Sequence, residues 1–131
     1  MGARKRLRAE NLKVAKSTTA IASLNDSPIA PRKMRLVADR VRGVEVNKAL
    51  NILQHNAKNA STSLAKLLRS AIANWEMKNE GKSIEEEKLV VKSIEVGGGA
   101  MLKRIQAAPQ GRAHRIRKRS NHVTIVVDGA K

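Results

Sequence analysis

The chain has no cysteine, no phenylalanine and no tyrosine, and a single tryptophan, Trp75, among 131 residues. The missing cysteines exclude disulfides and thiolate metal sites, and they agree with a reducing compartment. The missing aromatics exclude the stacking platforms on which readers of single-stranded RNA or DNA hold their bases. Acidic residues are also scarce: 11 Asp and Glu stand against 27 Lys and Arg, giving a formal net charge of +16 and a pI near 11.2. No run approaches the roughly 18 apolar residues of a membrane-spanning helix. The basic start, Met1 to Arg8, has no apolar stretch after it of the kind a secretory signal carries.

Positive charge is what remains. By length the chain is one domain, and the self-repulsion of so many cations is relieved by an anionic polymer. Nucleic acid is the first candidate partner and an anionic membrane surface the second. Without aromatics, the expected target is the phosphate backbone and shape of a folded nucleic acid.

The charge concentrates between Val96 and Val127, where Lys103, Arg104, Arg112, Arg115, Arg117, Lys118 and Arg119 occur without a single Asp or Glu. Gly97-Gly98-Gly99 opens this stretch, Pro109-Gln110-Gly111 interrupts it, and Val123-Thr124-Ile125-Val126-Val127 closes it. The preceding run Leu89 to Val96 is rich in β-branched residues and predicts a strand. Two strands joined by a basic, glycine-punctuated segment predict a hairpin whose middle leaves the domain, an arm over about 96–122. Arg115, Arg117 and Arg119 fall at period two, which puts three guanidiniums on one face of a strand, with His114, Ile116 and Lys118 on the other. Guanidinium forks suit phosphate geometry. Edge protection against aggregation is the bland reading, but it does not call for so many cations without acids.

The rest of the chain reads as a small core. Residues 1–17 hold Arg4, Lys5, Arg6, Arg8, Lys13 and Lys16 against Glu10, with too few apolar residues to be buried, so a basic extension that orders on its partner is expected. Thr18 to Asn25 alternates weakly and predicts a first strand. Asp26-Ser27-Pro28 offers cap chemistry for a helix over about 28–42, ended by Gly43. A second helix is expected from Asn47, as N-cap, to His55. A third, over about 57–79, repeats Ala57, Ala60, Leu64, Leu67, Leu68, Ala71, Ile72 and Trp75 at helical spacing. Between Glu76 and Glu95 six acids outnumber four lysines, an acidic corner expected to face away from phosphate. The expected fold is α+β: three helices packed on a small three-stranded antiparallel sheet, with a long protruding basic β-hairpin, all within 18–131.

No catalytic constellation is present. His55, His114 and His122 follow no metal-ligand spacing. Glu85-Glu86-Glu87 is a solvated charge run rather than a carboxylate pair. There is no P-loop, dinucleotide fingerprint or nucleophile elbow. Gly97-Gly98-Gly99 lacks the helix a phosphate loop needs, and reads as flexibility at the entry to the arm. No cofactor is expected.

Several segments together resemble one family. Arg35-Leu36-Val37-Ala38-Asp39 with Val41-Arg42-Gly43, Ala49-Leu50-Asn51-Ile52-Leu53 and Ser70-Ala71-Ile72-Ala73-Asn74 resemble the three helix motifs of the bacterial large-subunit ribosomal protein L-twenty-two family. Lys103-Arg104-Ile105, Gly111-Arg112-Ala113 and Lys118-Arg119-Ser120-Asn121-His122-Val123 follow in the same order and spacing as its arm. The resemblance covers about Ser27 to Asp128. It implies a cytoplasmic, non-enzymatic constituent of the large subunit that binds 23S rRNA, assists its assembly and lines the nascent-peptide exit tunnel with its hairpin. The implied partners are that RNA, neighbouring proteins including L-four at the tunnel constriction, and the nascent polypeptide, with no membrane insertion. Carried over by position, Arg32, Lys33, Arg35, Arg112, Arg115, Arg117, Lys118, Arg119 and His122 are RNA contacts. Met101, Lys103, Arg104 and Gln110 belong to a tunnel-facing tip over about Ala100 to Gln110. The chain departs from the family at that tip: Gly98-Gly99-Ala100 stands where Glu-Gly-Pro is usual, and Ala107-Ala108-Pro109 replaces Pro-Arg-Ala. The alternative function is an architectural DNA-binding protein that lays a basic β-ribbon in a groove.

Overall fold

Apolar spacing in the middle of the chain sets the architecture. The structure, a computed structural model, describes residues 3–84 and 87–129. Its elements are α1 (Ala3–Thr18), β1 (Ala20–Ser27), α2 (Pro31–Val41), α3 (Val46–Gln54), α4 (Asn59–Lys78), β2 (Leu89–Ala107) and β3 (Ala113–Gly129). The three strands form one antiparallel sheet in the order β1-β3-β2. The α+β class agrees with the sequence reading.

Helix α4 is the spine of the core. Ala60, Leu64, Leu67, Leu68, Ala71 and Trp75 recur on one face and are buried there. Each large side chain contributes about 1.5–3 kcal/mol by leaving water. Helix α2 adds Met34, Val37, Ala38 and Val41, and α3 adds Val46, Ala49 and Leu53. The sheet answers with Ala20 and Ala22, with Leu89, Val91 and Ile94, and with Val123, Ile125 and Val127. Trp75, the lone aromatic, belongs to this core and offers no face to a base.

Three helix starts differ from the sequence reading. Pro31, not Pro28, takes the first turn of α2, behind an extended Ala30. Asp26 instead sits at φ 53 in a β1 bulge, and Ser27 is buried as the last strand residue, opposite Asn121. Asn47 lies inside α3, whose N-cap is Glu45. Ala57 is exposed and precedes α4, whose N-cap is Lys58. None of these three starts uses a side-chain cap, so cap-forming residue types are misleading signals here.

The N-terminal segment, expected to order only on a partner, forms α1 with no residue buried. Ala, Leu, Arg, Lys and Glu, all strong helix formers, supply the propensity, and no Gly or Pro interrupts it. Of the acidic corner, Glu85 and Glu86 lie outside the described residues; Glu87 pairs with Lys82 at 2.8 Å.

Candidate nucleic-acid interface

The last level at which all three strands pair is Ser27, Asn121 and Gly98. Beyond it β2 and β3 continue alone to Ala107 opposite Ala113. A two-stranded ribbon without a covering helix is marginal in water, so its root matters. On the exposed edge of β2, Gly43 N–H donates to the Val91 carbonyl at 2.9 Å and Val91 N–H to the Val44 carbonyl at 3.0 Å. Further out, Arg42 Nη2 donates to the Ile94 carbonyl at 3.1 Å, and Arg35 Nη2 to that of Val96 at 3.0 Å. Arg35, assigned to RNA by resemblance, is thus a latch at the base of the arm. Its exposure leaves it on the surface.

On the other side of the root, fully buried Asn121 donates its Nδ2 to the Ile29 carbonyl, tying β3 to the loop before α2. Its Oδ1 has no hydrogen-bond partner among the described residues. His122 Nδ1 accepts from the Asp26 N–H at 3.1 Å, and its Nε2 lies 3.8 Å from Asp26 Oδ1. His122 therefore has a structural task at the root, whatever else it meets.

The glycine run is strand rather than a loose entry. Gly99 and Ala100 form a bulge opposite Ser120. A Cβ on Gly99 would stand 2.7 Å from Ser120 Oγ and 3.1 Å from His122 Nε2, whereas one on Gly98 would meet nothing. Ser120 Oγ is itself committed to the Ala100 carbonyl. Close approach, not flexibility, is the reason for glycine at position 99.

Both irregularities of the β2–β3 pairing fall on β2, and the one between β1 and β3 falls on β1, so β3 alternates without interruption. Its odd residues Asn121, Val123, Ile125 and Val127 face the core. Extending that alternation outward puts Arg119, Arg117 and Arg115 on the same face, past the last helix. The core face of the sheet becomes a cationic face once nothing covers it.

Register completes the surface. Met101 lies opposite Arg119, Lys103 opposite Arg117 and Ile105 opposite Arg115; on the other face Leu102 lies opposite Lys118, and Arg104 opposite Ile116. Each of the four large apolar residues of the ribbon thus faces a cation with an aliphatic stem. Lys103 and Arg117 are the exception, a like-charge pair directly across the ladder. Such pairs, with Cβ atoms about 5 Å apart, are destabilising unless an anion lies between them. Among the described residues no carboxylate is within ion-pair distance of the ribbon's cations, all the pairs lying elsewhere.

This register revises the division into stem and tip. Gln110 at φ 62 and Gly111 at φ 71 make the reversal, closed by Ala108 N–H on the Arg112 carbonyl at 2.9 Å. Of the residues assigned to the tip, Gln110 alone lies at the turn. Met101 and Lys103 lie deep in the ribbon, opposite the supposed stem arginines, and Lys103 and Arg104 point to opposite faces. Arg112 lies beside the turn. Arg32 is exposed on α2, and Lys33 lines a cleft of 590 Å³ with Leu36, Ile29 and Lys58. The site residues therefore fall into two groups, the ribbon and the exposed side of α2. Among the described residues, no group of three or more His, Asp or Glu is placed to hold a metal, and no helix is long and apolar enough to cross a membrane.

Known proteins give this geometry a family. The family model described as ribosomal protein L22p/L17e matches residues 22–128. The large ribosomal subunit protein uL22 of Christiangramia forsetii is 63% identical over 127 residues, covering 97% of this chain and 94% of its own. That of Flavobacterium johnsoniae is 61% identical over 127 residues, with 97% and 93% covered. That of Bacteroides thetaiotaomicron is 59% identical over 131 residues, with 100% and 95% covered. Fold, basic ribbon and matched residues agree, and the chain belongs to the ribosomal protein L22p/L17e family.

Proposed function

We propose that this protein is a structural constituent of the cytoplasmic large ribosomal subunit, without catalytic activity, that binds 23S rRNA through its ribbon and supports assembly of that RNA. Family membership supports the subunit. The observation that carries the RNA contact is the row Arg115, Arg117 and Arg119 on an uncovered face, with Lys103 opposed to Arg117. Along β3 these guanidiniums recur at about 7 Å. Phosphates between Lys103 and Arg117 convert a repulsion into a shared, charge-assisted contact. On the opposite face Leu102 and Ile116 interrupt the cations Lys118 and Arg104, so that face makes the weaker RNA contact. Arg32 and Lys33 on α2, and Arg112 at the turn, extend the contact. The family offers no support for the DNA-binding alternative.

The outer ribbon and turn, with exposed Ile105 and small residues around Pro109, are proposed to line the nascent-peptide exit tunnel beside the L-four protein. A photoreactive residue at position 104 in assembled subunits carrying a stalled nascent chain tests this. A crosslink to the nascent chain is expected. Crosslinks to RNA alone would remove the tunnel assignment while leaving the RNA contact in place.

A further inference from the structure

Helix α1 is a basic element that the ribbon contacts leave unused. It carries Arg4, Lys5, Arg6, Arg8, Lys13 and Lys16 against Glu10, and every residue from Ala3 to Thr18 is exposed. The matched family region begins only at residue 22. Helices of this length without tertiary packing are marginal in water.

Its attachment is nevertheless built. Lys78 Nζ on α4 donates to the carbonyls of Lys16 at 3.0 Å and Thr19 at 2.7 Å. The hydroxyls of Ser17 and Thr19 donate to the carbonyls of Val14 and Ala15 at 2.8 and 2.7 Å. The carbonyls of Val14, Ala15 and Lys16 near the C-terminal end of α1 thereby gain partners, with a cation where the helix dipole favours one. Only Thr19 separates α1 from β1, so the helix leaves the domain as a directed extension.

The sheet register fixes where it leaves. Ala20 lies opposite Val127, whereas the ribbon departs beyond Asn121. From Val127 to the ribbon's end at Ala113 is about 45 Å along β3, at roughly 3.3 Å per residue. The two basic elements therefore stem from opposite ends of the sheet.

Chemistry selects the occupant. At helical spacing Leu7 and Val14 share a face with Ala3, Asn11 and Thr18, while Leu12 falls on the opposite side among cations. A helix lying on a membrane gathers its apolar residues on one face, and α1 splits them. Its cations wrap most of the remaining circumference, which suits phosphates approaching from two sides of a groove.

We propose that α1 is a second RNA-binding element, taking the phosphate backbone of a segment of large-subunit RNA separate from that held by the ribbon. The proposal rests on the ribosomal reading above. Its test is hydroxyl-radical footprinting and salt titration of the full chain on 23S rRNA. Wild type is compared with a variant in which Arg4, Lys5, Arg8 and Lys13 are all changed to Gln, a residue that preserves helix propensity. Wild type should protect two separated sets of nucleotides; the variant should lose one set and keep the other. The slope of log affinity against log salt should fall by about 3.6 in magnitude if each of the four cations neutralises one duplex phosphate. Glu10→Lys should move affinity the opposite way, so the proposal does not depend on one variant. An unchanged footprint and slope would overturn the role of α1 while leaving the ribbon contact standing. No protection by wild type would overturn both readings. Loss of binding to phosphatidylglycerol vesicles, with RNA protection unchanged, would assign α1 to a membrane surface instead.

Discussion

Changing Arg115, Arg117 and Arg119 together to Gln is expected to lower affinity for 23S rRNA about a hundredfold without unfolding the domain. The three side chains are exposed, and among the described residues none takes part in an ion pair. Each phosphate contact is worth on the order of 1 kcal/mol net, and the three together about 3 kcal/mol. The salt slope should fall by about 2.7 in magnitude if each neutralises one duplex phosphate. Folding should change by less than about 0.5 kcal/mol, because removing exposed side chains with no partner strips nothing from the core. Loss of the Lys103–Arg117 opposition should, if anything, ease the free ribbon. Filter binding across a salt series, with urea unfolding alongside, reads both quantities. Unfolding of the variant would mean that the arginines serve the core.

The second large effect belongs to the root of the ribbon. Asn121→Asp is expected to destabilise the folded chain by about 3–5 kcal/mol at pH 7, a substantial part of the roughly 5–15 kcal/mol typical of a domain. Asn121 is fully buried, and its Nδ2 is the donor to the Ile29 carbonyl. Aspartate removes that donor and sets a carboxylate against the carbonyl, at a site where the present Oδ1 already has no hydrogen-bond donor among the described residues. Burial raises the carboxyl pKa in the folded state above its unfolded value of about 3.9. The variant is therefore least penalised below that value, where the acid is neutral and can donate to Ile29. The penalty grows as pH rises through the raised folded pKa. Urea unfolding at pH 4 and pH 7 should show the gap to wild type widening at the higher pH. Asn121→Leu, which removes the donor without adding charge, should leave a gap independent of pH. A constant gap for the Asp variant would contradict a desolvated site.

Much of this was legible in the sequence, for identifiable reasons. Leu64, Leu67, Leu68, Ala71 and Trp75 announce α4 because a buried helix face must repeat at 3.6 residues. The strands of the ribbon and the period of its arginines were legible because a strand alternates at two. Helix starts were not, because Pro31, Glu45 and Lys58 begin their helices without side-chain caps, while Asp26, Ser27 and Asn47 have cap chemistry and serve elsewhere. Helix α1 was missed for want of an apolar stripe; its composition of strong helix formers was the available signal.

The candidate site was less legible than the fold. Residue types identified the cations, but register decides which of them share a face, and register depends on two bulges in β2 and the turn at Gln110-Gly111. No local pattern announces that Lys103 opposes Arg117, or that Arg35 spends its donors on the Val96 carbonyl. Asn121 and Gly99 owe their roles to neighbours distant in sequence or across the ladder. Such pairings appear only once the chain is folded.

The central claim is that the core face of β3 continues outward as an RNA-gripping face. Photoreactive residues placed singly at positions 115, 116 and 117 in assembled large subunits test it most directly. The account predicts strong crosslinks to 23S rRNA from 115 and 117 and a distinctly weaker yield from 116, an alternation of period two. Equal yields at all three positions, or a maximum at 116, would contradict it.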